Sequence, residues 1–140
     1  MSKFDNEILQ VADDIRTITI QWATNIAREA CKVMEKQLRL KKFSNKKELK
    51  DFFDRSTKLL IEARETEPML RNWMKYARHK LKAWANAIEL ADAFAEYLTW
   101  INEEEKIRAE IGVNLIDDWD NIMTHCHSGS VTKILKTARN

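Results

Sequence analysis

The sequence has few residues that interrupt regular structure, with two glycines and one proline among its 140 residues. It also has only two cysteines, Cys31 and Cys126, which lie far apart and follow no secretory segment. Such thiols are typical of a reduced, cytoplasmic protein. No apolar run approaches the roughly 20 residues of a membrane span, so we expect no membrane association.

Neither sign of charge dominates the chain. It has 24 basic and 22 acidic side chains, and its formal net charge is +2. Because a charge this small creates no strong field, we expect no specific binding of nucleic acid or of anionic lipid. Hydrophobic residues make up 44% and charged residues 33% of the chain, which is typical of a globular protein with one core.

Apolar residues at spacings of three and four predict helices along most of the chain. The β-branched stretch Ile18-Thr19-Ile20 separates the first two stripes and favours two helices over one. The first stripe contains Phe4, Ile8, Val11, Ile15 and Ile18, and the second contains Trp22, Ile26, Ala30, Val33 and Leu38.

Two further helices have recognisable start signals. We expect Ser44 to cap a helix from Lys46 to Ala63, and Thr66 with Pro68 to begin a helix that ends near Lys82. The segment 39–50 before the third helix carries six cations. It could contact phosphate, but we interpret it as a solvated loop between helices.

A long helical pattern runs from Ala83 to Leu115, with the acidic cluster Glu103–Glu105 predicted to face water. This helix would form the spine of an antiparallel bundle, so we expect residues 1–116 to be a helical domain. Most of the tryptophans are interpreted as core and interface aromatic residues. These are Trp73, Trp84, Trp100 and Trp119.

The pattern changes at Asp117. The segment DDWDN is typical of a turn, Ile122–Cys126 predicts a short β-strand, and Val131–Ala138 predicts a last helix. A strand followed by a helix belongs in a parallel sheet, because its amide groups need neighbouring strands. We therefore expect residues 117–140 to begin a second domain whose remaining strands are absent from this sequence.

The segment THCHSGS at 124–130 combines a strand end with a turn that opens a helix. Amide groups at a helix start can hold an anion, and the helix dipole lowers the pKa of a nearby thiol, so Cys126 is a candidate reactive cysteine. In a strand His125 and His127 point away from Cys126, so we expect no metal site and no cofactor. The alternative to a reactive site is that Cys126 is a small buried thiol, and that His125 and His127 are polar residues that make ordinary hydrogen bonds.

Three segments together resemble the family of the initiation factor 2B alpha, beta and delta subunits and the ribose-1,5-bisphosphate and methylthioribose-1-phosphate isomerases. These segments are ITIQWATNIAREA at 18–30, IEARETEPMLRNWMKYA at 61–77 and NIMTHCHSGSVTKILKTA at 121–138. The HCHS form is most similar to the ribose-bisphosphate isomerases and the archaeal factor-like members. The resemblance implies a helical amino-terminal domain and a Rossmann-like carboxy-terminal domain, with the sugar phosphate of the isomerases between them.

The resemblance also implies roles for particular residues. Cys126 matches the catalytic cysteine of the isomerases, and Arg64 matches an arginine that holds the substrate phosphate. Glu65 replaces the usual proline beside that arginine and adds negative charge. The glycine-rich R-G-A-G phosphate loop is matched by Gln21, Trp22, Ala23 and Thr24. An indole therefore replaces a glycine, and an uncharged amide replaces an arginine.

No residue of this chain matches the catalytic aspartate of the isomerases, which belongs to a later strand. Proton transfer between sugar carbons needs an acid and a base, so we expect no isomerisation by this chain alone.

Two functions stay open. One is an initiation factor 2B subunit-like protein that acts by protein interaction or by regulation linked to a sugar phosphate or nucleotide. The other is half of a split ribose-1,5-bisphosphate isomerase that contributes Cys126 and Arg64. The expected partner is a protein that supplies the Rossmann-like domain, or a second copy of the chain.

Overall fold

The structure is a computed structural model that describes residues 3–83, 85–125 and 128–139. Six helices lie within these ranges, so the mainly helical fold class is confirmed. They are α1 (Lys3–Arg16), α2 (Ala23–Leu40), α3 (Lys46–Ala63), α4 (Pro68–Lys82), α5 (Ala87–Val113) and α6 (Gly129–Ala138). Within the described ranges, no helix is both long enough and apolar enough to cross a bilayer.

The chain forms two compact units, Met1–Leu98 and Thr99–Asn140. The first unit contains α1 to α4 and the first part of α5, and the second contains the rest of α5 together with α6. Because a packing unit need not be a domain, the predicted division into residues 1–116 and 117–140 stays a prediction.

The core of the first unit is built around α2, which packs against both α1 and α4. In turn, α1 and α4 also contact α3. The buried residues of α2 are Ile26, Ala27, Ala30, Cys31, Val33, Met34, Gln37 and Leu38. Since each fully buried large apolar side chain stabilises the fold by about 1.5–3 kcal/mol, this face of α2 accounts for much of the stability of the unit.

An aromatic cluster joins α4 to α5 in the first unit. The ring of Trp73 stacks on that of Tyr97 with centroids 3.9 Å apart, and it meets Phe94 edge-on at 6.2 Å. Tyr76 stacks on the same indole at 4.6 Å. Burial raises the pKa of Tyr97 to about 12, so its hydroxyl stays neutral. The interpretation of Trp73 as a packing residue is therefore confirmed. Trp100 and Trp119 are exposed and are not core residues of this chain, and Trp84 lies outside the described residues.

The third and fourth helices have the predicted bounds, whereas α5 (Ala87–Val113) is shorter than the pattern predicted from Ala83 to Leu115. The first two stripes form two helices, the third helix runs from Lys46 to Ala63, and the fourth begins at Pro68 and ends at Lys82. The last helix begins two residues earlier than predicted, at Gly129.

The capping predictions for α3 and α4 were wrong. The Asn45 side chain, rather than that of Ser44, accepts a hydrogen bond from the backbone N–H of Glu48 at 2.9 Å. The Glu48 carboxylate accepts one from the Ser44 backbone N–H at 2.8 Å, which completes a reciprocal cap. At α4 the capping residue is Glu67 rather than Thr66, and its side chain makes no capping bond.

The strand predicted over Ile122–Cys126 is not formed by its described residues. Residues 122–124 have no regular structure, and His125 lies in a bend. The side chains of Ile122 and Met123 are exposed. A strand needs neighbouring backbone N–H and C=O groups, and no strand is present in residues 3–83, 85–125 or 128–139 to supply them. Cys126 lies outside the described residues.

In the second unit, the last turns of α5 pack against α6. Arg108 Nη1 donates a hydrogen bond to Ser130 Oγ at 3.0 Å, and Lys133 Nζ lies 3.8 Å from a carboxylate oxygen of Glu105. Gly112 lies so close to Ile134 that an added Cβ would be 2.6 Å from Ile134 Cδ1. Glycine is therefore the residue that permits this contact.

We expect Asn45→Ala to lower the free energy of unfolding by about 1 kcal/mol, because it removes the side-chain acceptor at the start of α3. Ser44→Ala keeps the backbone N–H that contacts Glu48, so its effect should be smaller. Chemical denaturation of both variants tests this assignment. A larger loss for Ser44→Ala would restore the original prediction.

We expect Gly112→Ala to weaken the packing of α6 against α5. This should happen even though alanine stabilises a helix by about 1 kcal/mol relative to glycine. The added methyl group would clash with Ile134, and overpacking destabilises by about 1–3 kcal/mol. Hydrogen exchange of the α6 amides measures the effect, which the second change Ile134→Ala should reverse. Gly129→Ala is the matched control, because nothing lies within 4 Å of its added Cβ. Greater protection of α6 in Gly112→Ala would contradict the packing described.

Candidate functional site

The loop between α1 and α2 contains the residues that match the phosphate loop of the resemblance. The backbone N–H of Ile20 donates to the carbonyl of Asp14 at 2.9 Å, which folds the loop back on the end of α1. Ile18 and Trp22 both have positive φ angles, of 64° and 65°. Positive φ is rare for residues other than glycine, so this loop has an unusual backbone.

Trp22 is the capping residue of α2, with φ 65° and ψ 138°. A residue with a side chain is strained in this region by about 1–3 kcal/mol, and the strain persists only where the surroundings fix the backbone. Here the Trp22 carbonyl accepts a hydrogen bond from the N–H of Ile26 at 2.9 Å, and Ile26 is fully buried in the core. The loop thus retains a backbone suited to glycine at the position where the resemblance places one.

The side chains around this helix start determine what it can bind. Trp22 makes no side-chain capping bond, and the first turn of α2 contains no acidic residue. The first amide groups of α2 can therefore face an anion. However, the Trp22 side chain is 52% exposed, and Gln21 brings no positive charge. Ala23 is exposed and Thr24 is half-buried.

Arg64 lies at the end of α3, in the tight connection to α4. Its backbone N–H donates to the carbonyl of Ile61 at 3.1 Å, and its carbonyl accepts from the N–H of Glu67 at 3.1 Å. The half-buried guanidinium makes no hydrogen bond or ion pair with residues in the described ranges. Likewise, no such bond joins it to residues 21–24 within those ranges. Arg64 is thus available to an anion, and within the described ranges no hydrogen bond ties it to the loop.

The THCHSGS segment opens α6 as the sequence predicted. The Ser128 side chain accepts a hydrogen bond from the N–H of Val131 at 3.5 Å and caps the helix. His125 is exposed, whereas Cys126 and His127 lie outside the described residues. The hydrogen bond from Arg108 to Ser130 adds a guanidinium at this helix start. No sequence signal pointed to Arg108, because it lies on α5, outside the motif.

The other cysteine is a core residue. Cys31 is fully buried on α2, and burial raises the pKa of its thiol well above the ordinary value. A thiol that stays protonated is a poor nucleophile and a poor metal ligand. In the part of the chain that the structure describes, no group of three or more His, Cys, Asp or Glu side chains is placed to hold a metal ion.

The chain belongs to the initiation factor 2 subunit family, whose sequence profile matches residues 19–140. It is 32% identical to the ribose 1,5-bisphosphate isomerase of Thermococcus kodakarensis, over 94% of this chain and 44% of that protein. The identity to the protein of the same name from Methanocaldococcus jannaschii is also 32%, over 99% and 44%.

A Pyrococcus abyssi protein, provisionally named translation initiation factor eIF-2B subunit 2-like, is 28% identical over 96% of this chain and 46% of its own length. The chain therefore spans less than half the length of these relatives. The resemblance inferred from the three sequence segments is confirmed at the level of the family.

We expect Trp22→Gly to be more stable than Trp22→Ala by about 1 kcal/mol or more, because both variants lose the indole and only glycine relieves the strained backbone. Denaturant unfolding of the two proteins measures the difference. Ala23→Gly is the control at the adjacent helical position, where glycine should destabilise by about 0.5–1 kcal/mol. Equal stabilities of the two Trp22 variants would contradict the positive φ angle.

Proposed function

We propose that this chain is the helical part of an initiation factor 2B subunit-like protein, and that it acts by binding another polypeptide rather than by isomerising a sugar phosphate alone. The observation that carries the proposal is Trp22 at the start of α2. A phosphate held by the amides of that helix has to approach the backbone closely, which glycine permits, and we infer that the half-exposed side chain of Trp22 obstructs this approach.

Charge supports the same conclusion. A phosphate-binding loop usually includes a cation, whereas Gln21 is uncharged, and Arg64 makes no hydrogen bond to the loop within the described residues. Glu65, which is exposed beside Arg64, adds a negative charge that opposes phosphate. Each change weakens binding of a sugar phosphate while leaving the helical core intact.

The second unit has a surface suited to protein interaction. Ile107 and Ile111 are exposed one turn apart on α5, and Leu115, Trp119 and Met123 are exposed in the segment that follows α5. We call this set of five exposed residues the apolar face. Leu115 is 81% exposed, Trp119 97% and Met123 95%. Because soluble proteins seldom leave large apolar patches uncovered, this face supports a partner protein. We propose that the implied Rossmann-like domain or a second copy of the chain covers it.

A second function is supported by other observations. In this reading the chain is half of a ribose-1,5-bisphosphate isomerase and contributes Cys126 and Arg64. The Thermococcus and Methanocaldococcus relatives carry that enzyme's name. The guanidinium of Arg64 makes no ion pair in the described part of the chain, and Ser128 caps the helix that follows the THCHSGS motif. A cytoplasmic location is expected for either function.

Titration calorimetry with ribose 1,5-bisphosphate distinguishes the two functions. We expect no saturable binding to the unmodified chain at about 1 mM ligand, the upper end of ordinary substrate affinities. The double variant Gln21→Arg/Trp22→Gly should gain binding, because it restores the charge and clears the approach to α2. Adding Arg64→Ala to this variant should weaken the gained binding.

Two results would contradict the proposed function. One is tight binding of the sugar phosphate by the unmodified chain. The other is turnover by a mixture of the chain with a polypeptide that supplies the Rossmann-like domain, if Cys126→Ser abolishes that turnover.

The partner is tested by light scattering after size-exclusion chromatography, with the chain alone and with the product of the neighbouring gene. We expect the chain to associate with itself or with that product, and Ile111→Glu/Leu115→Glu to abolish the association by charging the apolar face. Ile88→Glu is the control, because Ile88 is also an exposed isoleucine of α5 but belongs to the first unit. A monomer that binds neither species would contradict the proposal.

A further inference from the structure

A groove of about 860 Å³ runs between α3 and α4 in the first unit. We call it the α3/α4 groove. Six cations line it: Lys46, Lys47, Lys50 and Lys58 on α3, with Arg78 and Lys82 on α4. The volume lies within the range of ordinary ligand sites, and all these residues belong to one compact unit.

The cations follow helical periodicity and therefore line the groove along its length. Lys46, Lys50 and Lys58 are separated by multiples of four residues, which places them along one face of α3. Arg78 and Lys82 are also four residues apart on α4. At 1.5 Å per residue, the stripe on α3 extends over about 18 Å. A single phosphate group is too small to contact its whole length.

The positive charge of the groove is only partly neutralised by the protein itself. Lys50 Nζ lies 2.6 Å and Arg78 Nη2 lies 3.3 Å from carboxylate oxygens of Asp54, so one carboxylate serves two cations. Glu62 contributes the other carboxylate of the lining, and it lies 3.7 Å from the ammonium of Lys58. The groove is thus lined by six cations and two carboxylates, and Asp51 beside it also acts on Lys50, whereas the whole chain has a net charge of +2.

Two lysines of the groove are available to a partner. Lys47 and Lys82 are exposed, and neither makes an ion pair within the ranges that the structure describes. They stand on opposite sides of the groove, one on each helix. A ligand with carboxylates on both of its flanks could therefore contact both.

The floor of the groove is aliphatic and selects among anionic ligands. It includes Ile61 and Leu81, and no aromatic residue is among the lining residues that the structure describes. Bases of RNA or of a nucleotide are usually held by aromatic stacking, which this lining does not provide. An amphipathic helix, in contrast, places a row of apolar side chains into a groove between helices.

We propose that the α3/α4 groove binds an acidic amphipathic helix of a partner protein. Its leucine-like side chains contact Ile61 and Leu81, and its carboxylates contact the lysines on either side. Complementary charge directs the approach, and the apolar contacts fix the register. This inference does not depend on Trp22 or on the apolar face, so its failure would leave the proposed function unaffected.

Fluorescence anisotropy tests the proposal with a labelled helical peptide of about 14 residues, long enough to cover the stripe on α3. The peptide carries leucine on one face and glutamate on both flanks. We expect saturable binding at low salt that weakens as salt rises. The variant Lys47→Glu/Lys82→Glu should raise the Kd by about tenfold or more, because like charges then face each other.

The matched control is Lys75→Glu/Lys136→Glu, which makes the same change in net charge at two exposed lysines outside the groove. It should change the Kd by much less than the groove variant. A peptide of the same composition in scrambled order, which has no apolar face, should bind more weakly than the amphipathic one.

Three outcomes would overturn the proposal. Equal losses in the groove and control variants would mean that binding follows net charge alone. Equal binding of the scrambled peptide would show that the apolar floor does not contribute to binding. Tighter binding of a single-stranded oligoribonucleotide or of pyrophosphate, with the same sensitivity to Lys47 and Lys82, would assign the groove to a phosphate ligand.

Discussion

Burial of α2 is the constraint on which the first unit depends. This helix packs against α1 and α4, and even its polar residue Gln37 is fully buried. The Gln37 amide donates to the Glu7 carboxylate of α1 at 2.8 Å, and the ammonium of Lys36 lies 2.9 Å from the same carboxylate. Because so many contacts fix α2, the loop that enters it has little freedom. Trp22 is therefore held at a positive φ angle despite its side chain.

In the candidate site, the core determines the backbone conformation of the loop, and the side chains of the loop determine what it can bind. The core sets the path of the loop, and we propose that Trp22 and Gln21 stand on this path where the resemblance implies glycine and arginine. The capacity to hold a phosphate depends on those side chains and changes with them. Relatives of this chain are named both as isomerases and as an initiation factor, and a shared fold does not determine the chemistry of such a loop.

The sequence predicted what depends on local pattern. Helical periodicity and Pro68 were enough to place α3 and α4, whereas the cap of α3 was misassigned because Ser44 and Asn45 are adjacent and both can accept the bond. The strand over Ile122–Cys126 was wrong for its described residues, because strand formation depends on neighbours that a local pattern does not reveal. The contact of Arg108 with Ser130 was missed because it joins residues 22 positions apart, which a local pattern does not reveal.

The α3/α4 groove shows most clearly where a one-dimensional pattern is insufficient. In sequence, the cations at 39–50 were interpreted as a solvated loop, although the helix predicted from Lys46 already included Lys46 and Lys50. The sequence did not reveal that these lysines line one groove with Arg78 and Lys82 of α4. A nearly neutral chain therefore contains a strongly positive surface, and net charge was a poor guide to partners. Folding concentrates charge locally, so an acidic protein partner is compatible with an overall charge of only +2.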